Sequence, residues 1–407
     1  MKIGLIIEQL RNTGGAYQAC YLAQELQNKG HEVTVYTVNN KIEELEPFLI
    51  KDLNIKSCNY RNSIGDKPHS SVVGLLFYYF YIFKLTYLLT KLLIVENIDV
   101  LNPHEWPMQW PCSIIKIIKK TPVVWVCNDI WHTSDHKIYK EKRLVFKYAH
   151  LIFLQWVDKF FTYFIDEIVV LDNRIKNIVD GYYKRHSLIV RSGINLDIFK
   201  SAKSKKKART ELNLSNNEFI FLCLQVFYPH RRFEDAILAF KEIIRNKHND
   251  KNIKLYIVGS DRYSKNYASF LNKLIKKESL GEWIVMKTDF LRQEALIDYL
   301  SSADVFILPN VEQTWGLIVI EAMALQKACI VSDGAGVHEI IRDGINGFIY
   351  RAKNIQELSK QMDKLLTNEI LRTNIGKRAQ EYINNNFSWN KYATNMEKVF
   401  LQLTISR

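Results

Sequence analysis

The stretch VEQTWGLIVIEAMA, Val311 to Ala324, sets a glycine, a helix start and a carboxylate in close succession. A polar loop runs from Asn310 to Trp315, Gly316 ends it, and the apolar run from Leu317 to Leu325 predicts a helix. The first amides of a helix have no intrahelical acceptor and point at an anion. Gly316 lets a diphosphate approach the backbone of Leu317 and Ile318, because no Cβ stands in the way. A carboxylate one turn further on repels phosphate but accepts hydroxyl hydrogens. Glu321 therefore reads as an acceptor for a ribose or sugar, and on local sequence alone equally as a surface glutamate facing the helix dipole.

Other polar residues stand at the ends of apolar runs. Gly14 and Gly15 close the first strand and open a helix, either as a close-approach loop for phosphate or acceptor or as a plain turn. His104 and Glu105 follow IDVLN, and the two readings are contact with an acceptor and a satisfied loop histidine. His132 and His136 flank Asp135 at metal-ligand spacing, but the intervening TSD reads as a turn or cap. No Asp-x-Asp pair occurs in the chain, so metal-independent chemistry is expected.

The elements that position these residues alternate between strand and helix. KIGLIIE, HEVTVYTV, IDVLNP, TPVVWVC, EIVVLD and HSLIVRSG read as strands. Helices are expected over 16–29, 72–95 and 139–164. After the basic run KSKKKAR, residues 203–209, the alternation restarts with FIFLCLQ, IKLYIVG, WIVMK, DVFILP and ACIVSD. That run reads as a solvated linker. The fold class is α/β, with two Rossmann-like halves in tandem. The expected domains are residues 1–200, residues 201–385, and a C-terminal helix in 386–407 packing back toward the first.

At 407 residues, 47% of them hydrophobic and 24% charged, the chain has the composition of two folded domains. Its formal charge of +13 favours an anionic partner. Nucleic acid is not expected, because KSKKKAR has no interleaved aromatic residue. The six cysteines are never close enough in sequence to spell a zinc knuckle or redox pair, and reduced thiols are expected. MKIGLIIEQL reads as a strand rather than a secretory leader. Val72 to Val95 is the membrane-like segment, but its charge-free part is shorter than the roughly 20 residues of a span. Two readings remain for it: a packed core helix with a lysine stripe, and a helix lying at the headgroup level of an anionic membrane.

The motifs combine into a longer pattern: the loop before Gly316, the aromatic-Gly-Leu step from Trp315, EAMA, a strand ending SD, a small-residue turn before Glu339, and DGINGF. From Asp304 to Tyr350 the chain resembles the nucleotide-sugar site of the GT-B glycosyltransferases of family 4, the retaining group 1 enzymes. GGAYQACYLAQELQNKGHEVTVYT, VRSGINLDIF and FYPHRRFEDAI extend the resemblance along the chain. It implies two Rossmann-like domains facing a cleft, an N-terminal one for the acceptor and a C-terminal one for the nucleotide sugar. Glu321 would hold the ribose hydroxyls, and Trp315, Gly316, Leu317, Ile318 and Gly15 would line the donor.

The family's first acidic residue, a contact to the donor sugar, is here Gln313, with Glu312 one residue early. Its basic pair becomes Arg231, followed by Arg232, with Val226 at the arginine position. Arg231 and Arg232 would divide the neutralisation of the departing diphosphate. Asn128 stands where many relatives carry a histidine near the reacting sugar, and reads as a sugar contact or a polar turn residue. Gly14, His104 and Glu105 would meet the acceptor.

The resemblance implies transfer of a sugar, with retention, from a nucleotide diphosphate sugar to a glycan or lipid-linked acceptor in cell-surface polysaccharide or glycolipid synthesis. No resident cofactor is implied. The expected location is the cytoplasm, at the cytosolic face of a membrane. Gln313 and Val226 motivate the competing reading of a non-catalytic nucleotide-sugar-binding partner subunit.

Overall fold

The computed structural model describes every residue except 12, 41–44, 46, 61–71, 129–144, 247–251, 263, 290, 313–314 and 406–407. The chain forms two compact units, Met1–Ser192 with Trp389–Arg407, and Gly193–Ser388.

The first unit is built on parallel strands β1 (Lys2–Leu10), β2 (Glu32–Asn40), β3 (Asn54–Ser57), β4 (Val100–Pro103), β5 (Val124–Val126), β6 (Glu167–Val170) and β7 (Leu188–Ile189). The pairing order β3-β2-β1-β4 continues through the parallel bridges Leu101–Val123 and His104–Val126 into β5-β6-β7. Ile3, Leu5, Ile6 and Ile7 of β1 are all buried, so helices cover both faces, which is why the strand reads as a continuous apolar run rather than an alternating one. One of those helices is the last of the chain, Trp389–Ile405. Its Trp389 ring stacks on Tyr21 at 4.9 Å, and Glu397 accepts from His31 at 2.7 Å.

Helix Val72–Ile94 has two unlike faces. Leu85, Leu89 and Leu93 are fully buried in the core of the unit, whereas Phe77, Phe80 and Tyr87 stand exposed. The stretch Phe77–Ile94 is long and apolar enough to cross a membrane, with a third of it buried inside the protein. Of the aromatic helix expected over 139–164, the described part is Val145–Tyr163. The strand expected over HSLIVRSG shrinks to Leu188–Ile189, which pairs only with β6.

The second unit holds β8 (Phe219–Leu224), β9 (Ile253–Val258), β10 (Ile284–Lys287), β11 (Val305–Leu308), β12 (Ala328–Ser332) and β13 (Phe348–Tyr350). They form one parallel sheet in the order β10-β9-β8-β11-β12-β13, the doubly wound arrangement.

KSKKKAR is not a solvated linker. Ser204 caps a helix over Lys205–Glu211 that belongs to the second unit and buries Ala208 and Arg209. Arg209, 1% exposed, donates to the carbonyls of Ser302, Asn216 and Glu218 at 3.0, 3.0 and 2.8 Å and pairs with Asp304 at 2.8 Å. Lys203 reaches Asp298 at 2.8 Å, and Lys205 pairs with Asp304. Three of the charges in this run, on Lys203, Lys205 and Arg209, meet carboxylates some 95 to 99 residues further on, whereas Lys206 and Lys207 are exposed.

Candidate active site

In a doubly wound sheet, crossovers leave in opposite directions from two neighbouring strands, and the loops at their carboxyl ends part to form a crevice. In the second unit those strands are β8 and β11. The loop after β8 runs into a short helical turn, Pro229–Arg231, and the loop after β11 into helix Leu317–Ala324. A backbone bond ties them, Val311 N–H donating to the His230 carbonyl at 2.9 Å. Arg231 and the Gly316 helix start thus sit on loops joined to each other.

Gly316 caps the helix without a side-chain bond. A Cβ built on it would lie 2.9 Å from Cγ1 of Val337, so the glycine also admits the packing of the turn Gly336–Ile340 against the loop. The Leu317 and Ile318 amides belong to the first turn, where no intrahelical acceptor exists. Glu321 is half-buried one turn on, and burial pushes its carboxyl up to about 7. Among the described residues its carboxylate has no hydrogen-bond or ion-pair partner. Trp315 is buried and packs on Phe387 at 6.0 Å, anchoring the loop. Gln313 lies outside the described residues; Glu312 is exposed, with a left-handed φ of +55°.

The two arginines separate in role. Burial pulls the Arg231 guanidinium down to about 10, the mark of a cation short of water. Arg232, left-handed at φ +54°, turns back on its own helix: Nη2 and Nε meet Asp235 at 2.6 and 3.1 Å, and Nη1 meets Glu234 at 2.8 Å. Its charge is taken by two carboxylates.

The first unit has its own switch point, between β1 and β4. Thr13 caps helix Gly14–Asn28, and nothing lies within 4 Å of a Cβ placed on Gly14. At Gly15 the expected phosphate approach is filled from within, since a Cβ there would fall 1.8 Å from Oε1 of Glu105. Glu105 has φ +63°, and burial together with the Glu8 charge raises its carboxyl to about 7, against the pull of Arg11. Glu8 accepts from the Tyr81 hydroxyl at 2.6 Å. His104 is fully buried, its Nε2 paired with Asn102 Oδ1 at 2.9 Å, and burial drives it down to about 3, so it is a neutral ring of the core. Asn128 follows β5 and donates from Nδ2 to Gln18 Oε1 at 2.8 Å.

Sequence reading passed over Gln18, Glu8, Tyr81 and Asn310. The signal for Gln18 was a polar residue on the buried face of an amphipathic helix. Asn310 is fully buried at the end of β11, its carbonyl accepting from the Ser332 hydroxyl. His132, His136 and Asp129 lie outside the described residues, among which no three His, Cys, Asp or Glu side chains converge.

Similarity to known proteins accords with this layout. An uncharacterized glycosyltransferase of Methanocaldococcus jannaschii is 25% identical over 98% of both chains. HepE of Anabaena, solved in complex with UDP, superposes with a TM-score of 0.73 at 13% identity, covering 98% of this chain and 99% of that one. WaaG, a glycosyltransferase involved in lipopolysaccharide biosynthesis, gives 0.68 at 16% identity over 99% of both. These structures share the GT-B architecture of two Rossmann-like domains. Residues 13–198 match Glycosyltransferase Family 4, and residues 204–382 match Glycosyl transferases group 1. Matched from the loop that opens the first helix to the penultimate helix, the protein belongs to the family 4, group 1 glycosyltransferases and is a transferase acting on sugars.

Proposed function

We propose that this transferase moves a sugar, with retention and without a metal ion, from a nucleoside diphosphate sugar to a glycan or lipid-linked acceptor in cell-surface polysaccharide or glycolipid synthesis. The observation that carries the reading is the switch point of the second unit, where the tied loops bring the desolvated Arg231, the Leu317 and Ile318 amides and Glu321, unpartnered among the described residues, to the ends of β8 and β11. The UDP complex of the Anabaena neighbour supports a nucleotide as ligand.

As the anomeric bond breaks, negative charge grows on the diphosphate. A preorganised cation and helix amides stabilise that charge at the moment it forms. Arg231 and the two amides take this role; Arg232 holds the loop through Asp235 and Glu234. Glu321 accepts the ribose hydroxyls, Gln313 and Asn128 meet the donor sugar, and Gly14 and Glu105 meet the acceptor. The acceptor proton passes to the departing phosphate oxygen on the same face of the sugar.

Thermal stabilisation by UDP, GDP, ADP and TDP and their sugar adducts tests the reading, since a ligand of the folded state raises the midpoint. A shift selective for one base and larger for one adduct is expected; no shift with any of them sinks the proposal.

The acid at Glu321 adds a pH signature. In the free protein burial raises its carboxyl to about 7, whereas two ribose hydroxyls donating one to each oxygen favour the carboxylate over the acid, one of whose oxygens carries a proton. Binding therefore expels a proton below that pH, and nucleotide affinity falls by up to about tenfold per unit as pH drops from 7. Calorimetry in buffers of different ionisation enthalpy reads the proton directly. Glu321→Gln flattens the dependence.

The acceptor is membrane-borne in this reading. Phe80 and Tyr87 of helix Val72–Ile94 and Trp156 and Tyr163 of helix Val145–Tyr163 are exposed by 61, 64, 74 and 76%, and the two helices touch through Tyr79 and Phe153 at 5.9 Å. Lys84, Lys91 and Lys159 lie on the same helices. Exposed aromatics beside lysines suit the headgroup region of an anionic bilayer. Binding to phosphatidylglycerol vesicles is expected, weakened about tenfold or more by Phe80→Ser with Trp156→Ser. Equal binding by that variant, measured by co-sedimentation, removes the membrane from the proposal.

A further inference from the structure

The Asn128 amide is not free to turn. Its Nδ2 donates to Gln18 Oε1 at 2.8 Å, and Gln18 Nε2 in turn reaches the Tyr392 hydroxyl at 3.0 Å. Gln18 and Tyr392 are 3% and 1% exposed, so water does not compete for either bond. Gln18 lies one turn inside helix Gly14–Asn28, and Tyr392 on helix Trp389–Ile405, at the far end of the sequence but within the same unit. With Nδ2 occupied, Asn128 Oδ1 is left as a buried acceptor with no hydrogen-bond partner among the described residues. An orphaned buried acceptor is costly, and a hydroxyl donated by a ligand removes the cost.

We infer that Gln18 and Tyr392 are positioning residues, a hydrogen-bonded relay by which the C-terminal helix orients Asn128 so that its Oδ1 accepts a hydroxyl of the donor sugar. The inference rests on the glycosyl-transfer reading above and assigns the last helix a part in the reaction. Without the relay the amide rotates, offers Nδ2 as often as Oδ1, and the sugar hydroxyl loses a fixed acceptor.

The test uses the full-length chain with UDP-glucose, UDP-N-acetylglucosamine, GDP-mannose, ADP-glucose and TDP-glucose as probes, following the nucleoside diphosphate released and its binding. Asn128→Ala, Gln18→Leu and Tyr392→Phe are compared singly, and the last two again in the Asn128→Ala background. Tyr392→Phe keeps the ring that packs on Trp389 and removes only the hydroxyl. Each relay variant is expected to lower kcat/KM for the responding donor by about five- to tenfold, the value of one neutral hydrogen bond. Affinity for the bare nucleoside diphosphate stays unchanged. In the Asn128→Ala background the same substitutions are expected to have no further effect on kcat/KM, while any change in Tm persists.

Losses that add fully to that of Asn128→Ala, or that follow Tm alone, overturn the relay, as does an Asn128→Ala variant with undiminished turnover. In those cases wild-type turnover stands and the proposed function survives. A wild type that neither binds nor cleaves any probe brings down the proposed function and the relay together.

Discussion

Arg231→Ala is expected to lower turnover of the nucleotide sugar by about 10²–10³-fold, the usual consequence of removing one preorganised donor to developing charge. The size follows from where the guanidinium sits. It ends the turn Pro229–Arg231 beside the helix start at Gly316, held there by the Val311–His230 bond, and burial has already stripped part of its water, as its fall to about 10 records. A cation in that state gains most when negative charge arrives. The loss therefore falls on kcat more than on the affinity for the sugar adduct, and Arg231→Lys recovers only part, because an ammonium cannot make the two parallel bonds of a guanidinium. Arg232→Ala serves as the contrast. Its partners are Asp235 and Glu234, so it costs stability of helix Phe233–Asn246 and leaves most of kcat. Steady-state release of nucleoside diphosphate by the two variants decides the assignment; if Arg232→Ala is the more damaged in kcat, the roles are reversed.

Arg209→Ala is expected to destabilise the second unit by about 3–5 kcal/mol, the range for removing one member of a buried ion pair. Asp304, 7% exposed in its side chain, would lose its guanidinium and keep only Lys205 and the Ile220 N–H, the latter at 2.8 Å. The carbonyls of Ser302, Asn216 and Glu218 would be stranded as well. Native-state hydrogen exchange of the β8 and β11 amides reads the loss for this unit separately, which a single global midpoint for a two-unit chain does not. Lys206→Ala, on an exposed position of the same basic run, is expected within about 0.5 kcal/mol of the parent. Equal effects at the two positions would return the run to the status of a linker.

The contrast between Arg209 and Lys206 shows where sequence reading reaches its limit. Both belong to KSKKKAR, and their types and neighbours are alike. Only the position of Asp304, 95 residues away, makes one of them a buried pin. Arg231 and Arg232 repeat the lesson at the site: adjacent and chemically identical, they part because a left-handed φ at Arg232 turns it onto Asp235. Gly15 was legible as a place where something approaches closely, but the something is the carboxyl of Glu105 from the next strand's end.

The parallel strands and their alternation with helices were legible because burial on both faces demands continuous apolar runs, which survive in one dimension. So were the helix start at Gly316 and the carboxylate at Glu321, since a glycine, a first turn and an acid are set by spacing within one segment. Which strands lie side by side, and so which loops share a switch point, was decided by the tertiary structure. So were the raised pKa of the Glu321 carboxyl, the desolvation of Arg231 and the hydrogen bond that holds the Asn128 amide. Each depends on what water is displaced and which distant group takes its place, and neither quantity is local in the chain.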